Sequence, residues 1–194
     1  QIGKINFKNP VWVASGTFGY AKEFEKFFDL TQLGAIVTKS LTVKPRLGNP
    51  PQRVCETPSG MLNAIGLQGI GVRRFVAEKL PLLRAHGAVV IVNICGSTID
   101  EYAEVARILD DADGVGALEV NISCPNIKKG GMMFGCSLQG TRDVVAAVRR
   151  VTRRPVIPKL TPNVTDVASF AAAARDAGAD AVSLVNTFLA MAID

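Results

Sequence analysis

One histidine and four cysteines are all that the chain's 194 residues hold of those two types, and each scarcity excludes something. Cys55, Cys95, Cys124 and Cys136 are scattered, with no C-x-x-C pair. That spacing argues against a disulfide framework and against a self-contained zinc or iron–sulfur site, and it points to a reducing, cytoplasmic setting. Cys55, Cys95 and Cys136 read as small buried hydrophobes, Cys95 following Asn93 closely enough to line a site. His86, at the end of a predicted helix and followed by Gly87, reads as a surface or capping residue. Acidic residues are missing from the predicted strand ends, Glu119 lying inside its strand. Metal-assisted hydrolysis and paired-carboxylate chemistry therefore lack their ligands, and no metal is expected. No apolar run approaches the roughly 18 to 20 residues that cross a bilayer. Gln1-Ile2-Gly3-Lys4 does not begin a signal peptide, and the missing initiator Met suggests a trimmed start. Lys+Arg 22 against Asp+Glu 17 leaves a net charge of +5. The tightest basic pairs, Arg149-Arg150 and Arg153-Arg154, lack interleaved aromatics and read as a solvated face, not a nucleic-acid patch.

With 48% apolar and 20% charged residues, the composition is that of an ordinary globular domain. Short apolar runs alternate with longer helical patterns. Strands are predicted over 11–15, 35–39, 89–94, 117–121, 156–160 and 181–185, and helices over 22–30, 72–86, 98–110, 140–152 and 166–177. Gly34 and Gly178 stand just past two of those helices, where a left-handed cap is wanted. Continuous runs such as Val89-Val90-Ile91-Val92 are buried on both faces, as in a parallel sheet. The repetition gives an α/β fold, either a doubly wound sheet or a (β/α)₈ TIM barrel. Ala14-Ser15-Gly16-Thr17-Phe18-Gly19 lacks the G-x-G-x-x-G spacing of the first alternative. The six predicted strands end at or beside Ser15, Lys39, Asn93, Asn121, Lys159 and Asn186. A single polar strand end follows from the loop that begins there, but six amide, hydroxyl or ammonium side chains converge only at the C-terminal face of a barrel. A complete barrel takes about 250 residues and roughly 200 at the least, so about six of the eight βα units are expected here. The chain reads as one incomplete barrel domain over 1–194, cut in mid-barrel. Its second connection, 40–88, carries Pro45, Pro50, Pro51 and Pro58. It is expected as an ordered excursion with a short hairpin, its first part, 40–68, being a functional loop.

Cys124, Lys39 and Lys159 remain as candidate bases or nucleophiles. Cys124 sits on a proline-containing turn just beyond the fourth strand, where a free thiol of pKa about 8.5 is suited to proton transfer. Lys39 and Lys159 each end an apolar strand, and an ammonium there must meet an anion or a cofactor oxygen. Two readings stay open for them: a Schiff-base lysine, as in a lyase, or a charge that stabilises an anionic cofactor and substrate. Asn63, Asn93, Asn121, Asn126 and Asn186 suit a flat, heteroatom-rich ligand, with Gly60 and Gly66 allowing close backbone approach.

The stretch from Asn121 to Gly135, with Ser123-Cys124-Pro125-Asn126 at its centre, closely resembles the active-site loop of dihydroorotate dehydrogenases. So do Thr38-Lys39-Ser40-Leu41-Thr42, Pro50-Pro51-Gln52-Arg53, Asn63-Ala64-Ile65-Gly66-Leu67-Gln68 and Asn186-Thr187. The resemblance runs over essentially the whole chain, in order. It implies an FMN-binding (β/α)₈ barrel that oxidises dihydroorotate to orotate in pyrimidine synthesis. It makes Cys124 the base that removes the C5 proton while hydride leaves C6 for the flavin N5. It places substrate at Lys39, Asn63, Ala64, Ile65, Gly66, Leu67, Asn121, Asn126, Asn186 and Thr187. FMN falls to Ala14, Ser15, Gly16, Lys39, Ser40, Asn93, Asn121, Lys159 and Val185, with Lys159 near the N1/O2 edge. The cysteine after Ser123 is similar to the class 1 enzymes, and Lys129-Gly130-Gly131 with Phe134-Gly135 to the NAD-linked subclass 1B. That subclass implies a homodimer of FMN subunits with an FAD and iron–sulfur partner subunit, NAD⁺ as final acceptor, and a cytoplasmic location. In this chain Gly69 stands where the family usually has a second asparagine. A related flavin barrel acting on another dihydropyrimidine is the neighbouring alternative.

Overall fold

A computed structural model describes residues 1–123 and 134–193. Five strands form one parallel sheet in the order β1, β2, β5, β6, β7. They are β1 (Trp12–Val13), β2 (Ala35–Val37), β5 (Val90–Ile94), β6 (Val115–Asn121) and β7 (Val156–Lys159). Between β2 and β5 lies the expected hairpin, β3 (Val54–Thr57) against β4 (Gly60–Asn63), antiparallel. Helices α1 (Val72–Arg74), α2 (Leu80–Ala85), α3 (Ile99–Asp110), α4 (Leu138–Arg149) and α5 (Val167–Asp176) cross between strands, a π-helical turn Phe75–Lys79 joining the first two.

The three longest helices start where side-chain caps dictate. Thr98 accepts from the Glu101 amide, Ser137 from that of Gly140, and Asp166 from that of Ala168. The sheet separates two cores. Ile36, Val90, Val92, Ile94, Leu118 and Val120 pack against the helices. Their alternates, Ala35, Val37, Ile91, Ala117 and Ile157, face the other way, floored by Ile2, Ile5, Phe7 and Trp12.

Five expectations are corrected. The helix expected over 22–30 is two short 3₁₀ turns, Lys22–Phe24 and Leu30–Gln32. Asp29 caps the second through the Thr31 amide, while Phe18 stacks on Phe24 at 4.1 Å, so local capping and aromatic packing break the helical run.

The strand expected over 181–185 is a single bridge, Ser183 to Lys159. Along that edge of β7 the Val156 amide is taken by the Asp180 carboxylate at 2.8 Å, and Pro158 has no N–H. Only Leu160 donates to the segment's backbone, at Ser183. The segment's own donors, Asp180, Ser183 and Asn186, reach Val156, Pro158 and Leu160, at spacings of three residues against a strand period of two.

Arg149 and Arg154 are staples and not a solvated face. Arg154 reaches the carbonyls of Asp110, Ala112 and Val115, and Arg149 reaches those of Thr152 and Arg154 and the Asp180 carboxylate. Of the cysteines read as buried, Cys95 is, against the Tyr102 hydroxyl in the helix-side core; Cys55 and Cys136 are exposed.

His86 caps the C-terminus of α2, its Nε2 3.0 Å from a Glu25 oxygen. Gly178 has φ +99°, as a left-handed cap requires, but Gly34 is needed for another reason: a β-carbon there would overlap the backbone oxygen of Asn9. Gly34→Ala is therefore expected to lower stability by about 2 kcal/mol or more, read as a drop in urea midpoint at unchanged slope.

Candidate functional site

Side chains alternate faces along a strand, so the row that begins with small apolar groups inside the curl continues, two residues on, with polar ones. Ile91 leads to Asn93, Ala117 to Glu119 and Asn121, and Ile157 to Lys159; Lys39 stands two residues beyond Val37. Strand register sets Asn93 beside Glu119, and Asn121 beside Lys159. The polar set thus forms one band at the C-terminal ends of the strands.

Hydrogen bonds knit it together. The Ser15 hydroxyl accepts from Asn93 Nδ2 at 3.3 Å and from Lys159 Nζ at 3.4 Å. Asn93 Nδ2 also donates to Glu119 Oε2 at 2.5 Å. Ser123 donates its hydroxyl to the Lys159 carbonyl and its amide to Asn121 Oδ1. Asn186 Nδ2 donates to the same oxygen at 2.9 Å, and Thr187 donates to Asn186 Oδ1 through both amide and hydroxyl. The Tyr102 hydroxyl, on α3, holds the Asn121 carbonyl at 2.7 Å.

The structure therefore brings together Ser15, Asn93, Asn121, Lys159, Asn186 and Thr187. Lys39 and Ser40, half-buried, follow β2, where the Leu41 amide bonds the Asn93 carbonyl. Ala14 and Gly16 flank Ser15, and Val185 precedes Asn186. Asn63, Ala64, Ile65, Gly66 and Leu67 are not linked to this band by hydrogen bonds among the described residues. Asn63 ends β4 and the others follow the hairpin, where Asn49 holds the carbonyls of Ala64 and Ile65. A β-carbon at Gly69 would meet the Ser40 carbonyl at 3.0 Å, so an asparagine there needs the backbone to give. Cys124 and Asn126 lie outside the described residues, as do Lys129, Gly130 and Gly131.

Glu119, Ser123, Thr38 and Tyr102 were not singled out by the sequence. Glu119 reads from the sequence as interior to its strand, although counting by twos from Asn121 puts it on the same face. Thr38 is fully buried and receives the Asn93 amide at 3.3 Å.

Two observations define what the band can hold. Asn93 is fully buried, yet its Oδ1 has no hydrogen-bond partner, and a β-carbon on Gly16 (φ +88°) would meet nothing within 4 Å. An orphaned buried acceptor within a band of polar strand-end groups fits a ligand with an N–H donor. Among the described residues neither Lys39 nor Lys159 has a carboxylate within 4.0 Å, so both ammonium groups stay available to an anionic edge.

Fold and band together define a segment of a (β/α)₈ barrel with its ligand-binding groups at the C-terminal strand ends. The dihydroorotate dehydrogenase family model matches residues 1–194, and the chain belongs to that family. It is 55% identical over 194 residues to the dihydroorotate dehydrogenase B (NAD(+)) catalytic subunits of Geotalea daltonii and of a Thermoanaerobacter species. The corresponding subunit of Pelobacter propionicus is 56% identical. Each alignment covers 100% of this chain and 64% of the relative. The chain thus spans about two-thirds of the length of the curated relatives it matches, just under that fraction. The crystal structure of the Eimeria tenella enzyme with ferulenol superposes with a TM-score of 0.81 at 20% identity, over 99% of this chain and 60% of that one, a likeness of fold. Among the described residues no helix is long and apolar enough to cross a membrane.

Proposed function

We propose that the chain carries the larger part of an FMN-dependent dihydroorotate dehydrogenase of the NAD-linked type, which oxidises dihydroorotate to orotate in pyrimidine biosynthesis. The observation behind this reading is the strand-end band, in which Ser15, Lys159, Asn121 and Asn186 gather with Asn93, whose buried acceptor is orphaned, in a chain of this family. FMN, when bound, supplies the two-electron acceptor for the oxidation.

The chain's own residues do the rest. Cys124, as thiolate, removes the C5 proton of the substrate. Lys39 faces the substrate carboxylate and the cofactor edge. Asn121 and Asn186, already locked amide to amide, fix the ring edges with Asn63, Asn126 and Thr187. Residues 63–67, at the end of the 40–68 segment, cover the substrate. Ala14, Ser15, Gly16, Ser40, Asn93, Asn121, Lys159 and Val185 hold the flavin, Lys159 placing positive charge where reduction builds negative charge. The relatives named as catalytic subunits support a partner subunit, for which we propose FAD and an iron–sulfur cluster, on a homodimer of FMN subunits in the cytoplasm.

Purified protein is expected to be yellow, with flavin absorbance that bleaches on anaerobic addition of dihydroorotate. Colourless protein that never takes up FMN overturns the reading. Orotate competing better than uracil-type ligands separates it from a dihydropyrimidine enzyme of another substrate, and borohydride trapping of a carbonyl substrate on Lys159 or Lys39 would signal a Schiff-base lyase instead.

A further inference from the structure

We infer that Glu119 is a positioning residue whose carboxylate decides which end of the Asn93 amide faces the ligand. The inference deepens the flavin reading and rests on it.

An ionised carboxylate can only accept hydrogen bonds. At 2.5 Å from Glu119 Oε2, the Asn93 terminal atom must therefore be the donor nitrogen. Ser15 is compatible with the same choice but does not impose it: its oxygen receives Lys159 Nζ and Asn93 Nδ2, while its own O–H could equally serve a reversed amide. Glu119 alone therefore holds the nitrogen on this side and leaves Oδ1 as the other end of the amide.

The rest of Asn93 is fixed as well. Its backbone amide meets Thr38 Oγ1, its carbonyl receives the Leu41 amide, and it lies in β5 between β2 and β6 with no exposure. Oδ1 is nevertheless unpartnered. A buried acceptor left empty destabilises the free protein, and a ligand N–H that completes it gains that interaction on binding. An oxidised isoalloxazine has one ring N–H, the imide at N3; N1, N5 and the two carbonyl oxygens only accept. Glu119 therefore makes Asn93 a reader of that imide. A reversed amide would set an NH₂ against the N–H and reject it. Glu119 acts through Asn93, without contact to the reacting atoms.

The test is selectivity between FMN and N3-methyl-FMN, measured by fluorescence titration on purified protein. Wild type is expected to prefer FMN by about tenfold or more, the size of one buried hydrogen bond. In Glu119→Gln the side chain can present either oxygen or nitrogen to Asn93, and the preference is expected to fall to threefold or less. The exchange Glu119→Gln with Asn93→Asp restores the pattern from the other side. The glutamine amide then donates to an aspartate that can offer only acceptors, and the preference is expected to return. Protein that binds FMN with the preference unmoved in Glu119→Gln, or unrecovered in the exchanged pair, overturns the role of Glu119 while leaving the flavin reading intact. Wild-type protein that binds neither flavin overturns both.

Discussion

Cys124→Ser is expected to slow anaerobic bleaching of the flavin by dihydroorotate about 10²- to 10⁴-fold, the range set by a positioned general base. It is also expected to move the rise of the rate to higher pH. The base must be deprotonated to act. A thiol near its free pKa of about 8.5 reaches that state within reach of neutral pH, so the wild-type rate climbs as pH rises towards that value and then levels. A serine hydroxyl is a far weaker acid, so the variant's rate keeps climbing and reaches no plateau. Stopped-flow absorbance from about pH 6 to pH 10 reads both effects. Equal rates and an unmoved profile would remove Cys124 from the base position.

The second large effect concerns stability, at the other end of the strands. Arg154 spans the turn that follows α3 and the start of β7, its guanidinium donating to the carbonyls of Asp110, Ala112 and Val115. Charge-assisted bonds to backbone contribute more than neutral ones, and removing the guanidinium strands its carbonyl partners in a partly buried turn. Arg154→Ala is expected to lower unfolding free energy by about 3 kcal/mol, seen as a fall in denaturant midpoint. The flavin spectrum of whatever remains folded should be unchanged, because the clasp lies at the N-terminal ends of β6 and β7, away from the ligand-binding band. A loss below about 1 kcal/mol would mean that water replaces the guanidinium at those carbonyls.

Fold class and most of the band were legible for one reason. Continuous apolar runs such as Val89 to Val92 announce a parallel sheet, and the polar residue ending each run announces the face where a barrel gathers its chemistry. Asn93 and Lys159 were readable that way because each keeps step with an apolar residue two positions earlier, and Asn121 because it ends its run on the face that Ala117 begins. Glu119 keeps the same step and was overlooked, since a strand interior reads as core unless its two faces are followed separately. The last strand misled because hydrophobicity over 181–185 carries no information about its neighbour: Pro158 and the Asp180 carboxylate remove rungs from the opposite side. Gly34 misled similarly, its need being set by Asn9, a residue 25 positions away in the chain. The arginines after α4 looked solvated because a basic pair is silent about which carbonyls it will meet.

The irregular line between β7 and the segment that follows has a mechanical result. Across it the segment offers three amides and receives one, so this join in the wall has fewer bonds than a regular ladder of the same length and parts at less cost than one. Lys159 and Asn186 stand on its two sides. Breathing of the wall there separates the ammonium from the amide pair Asn121–Asn186 without disturbing the Arg154 clasp below, which gives the pocket a compliant side next to a rigid floor.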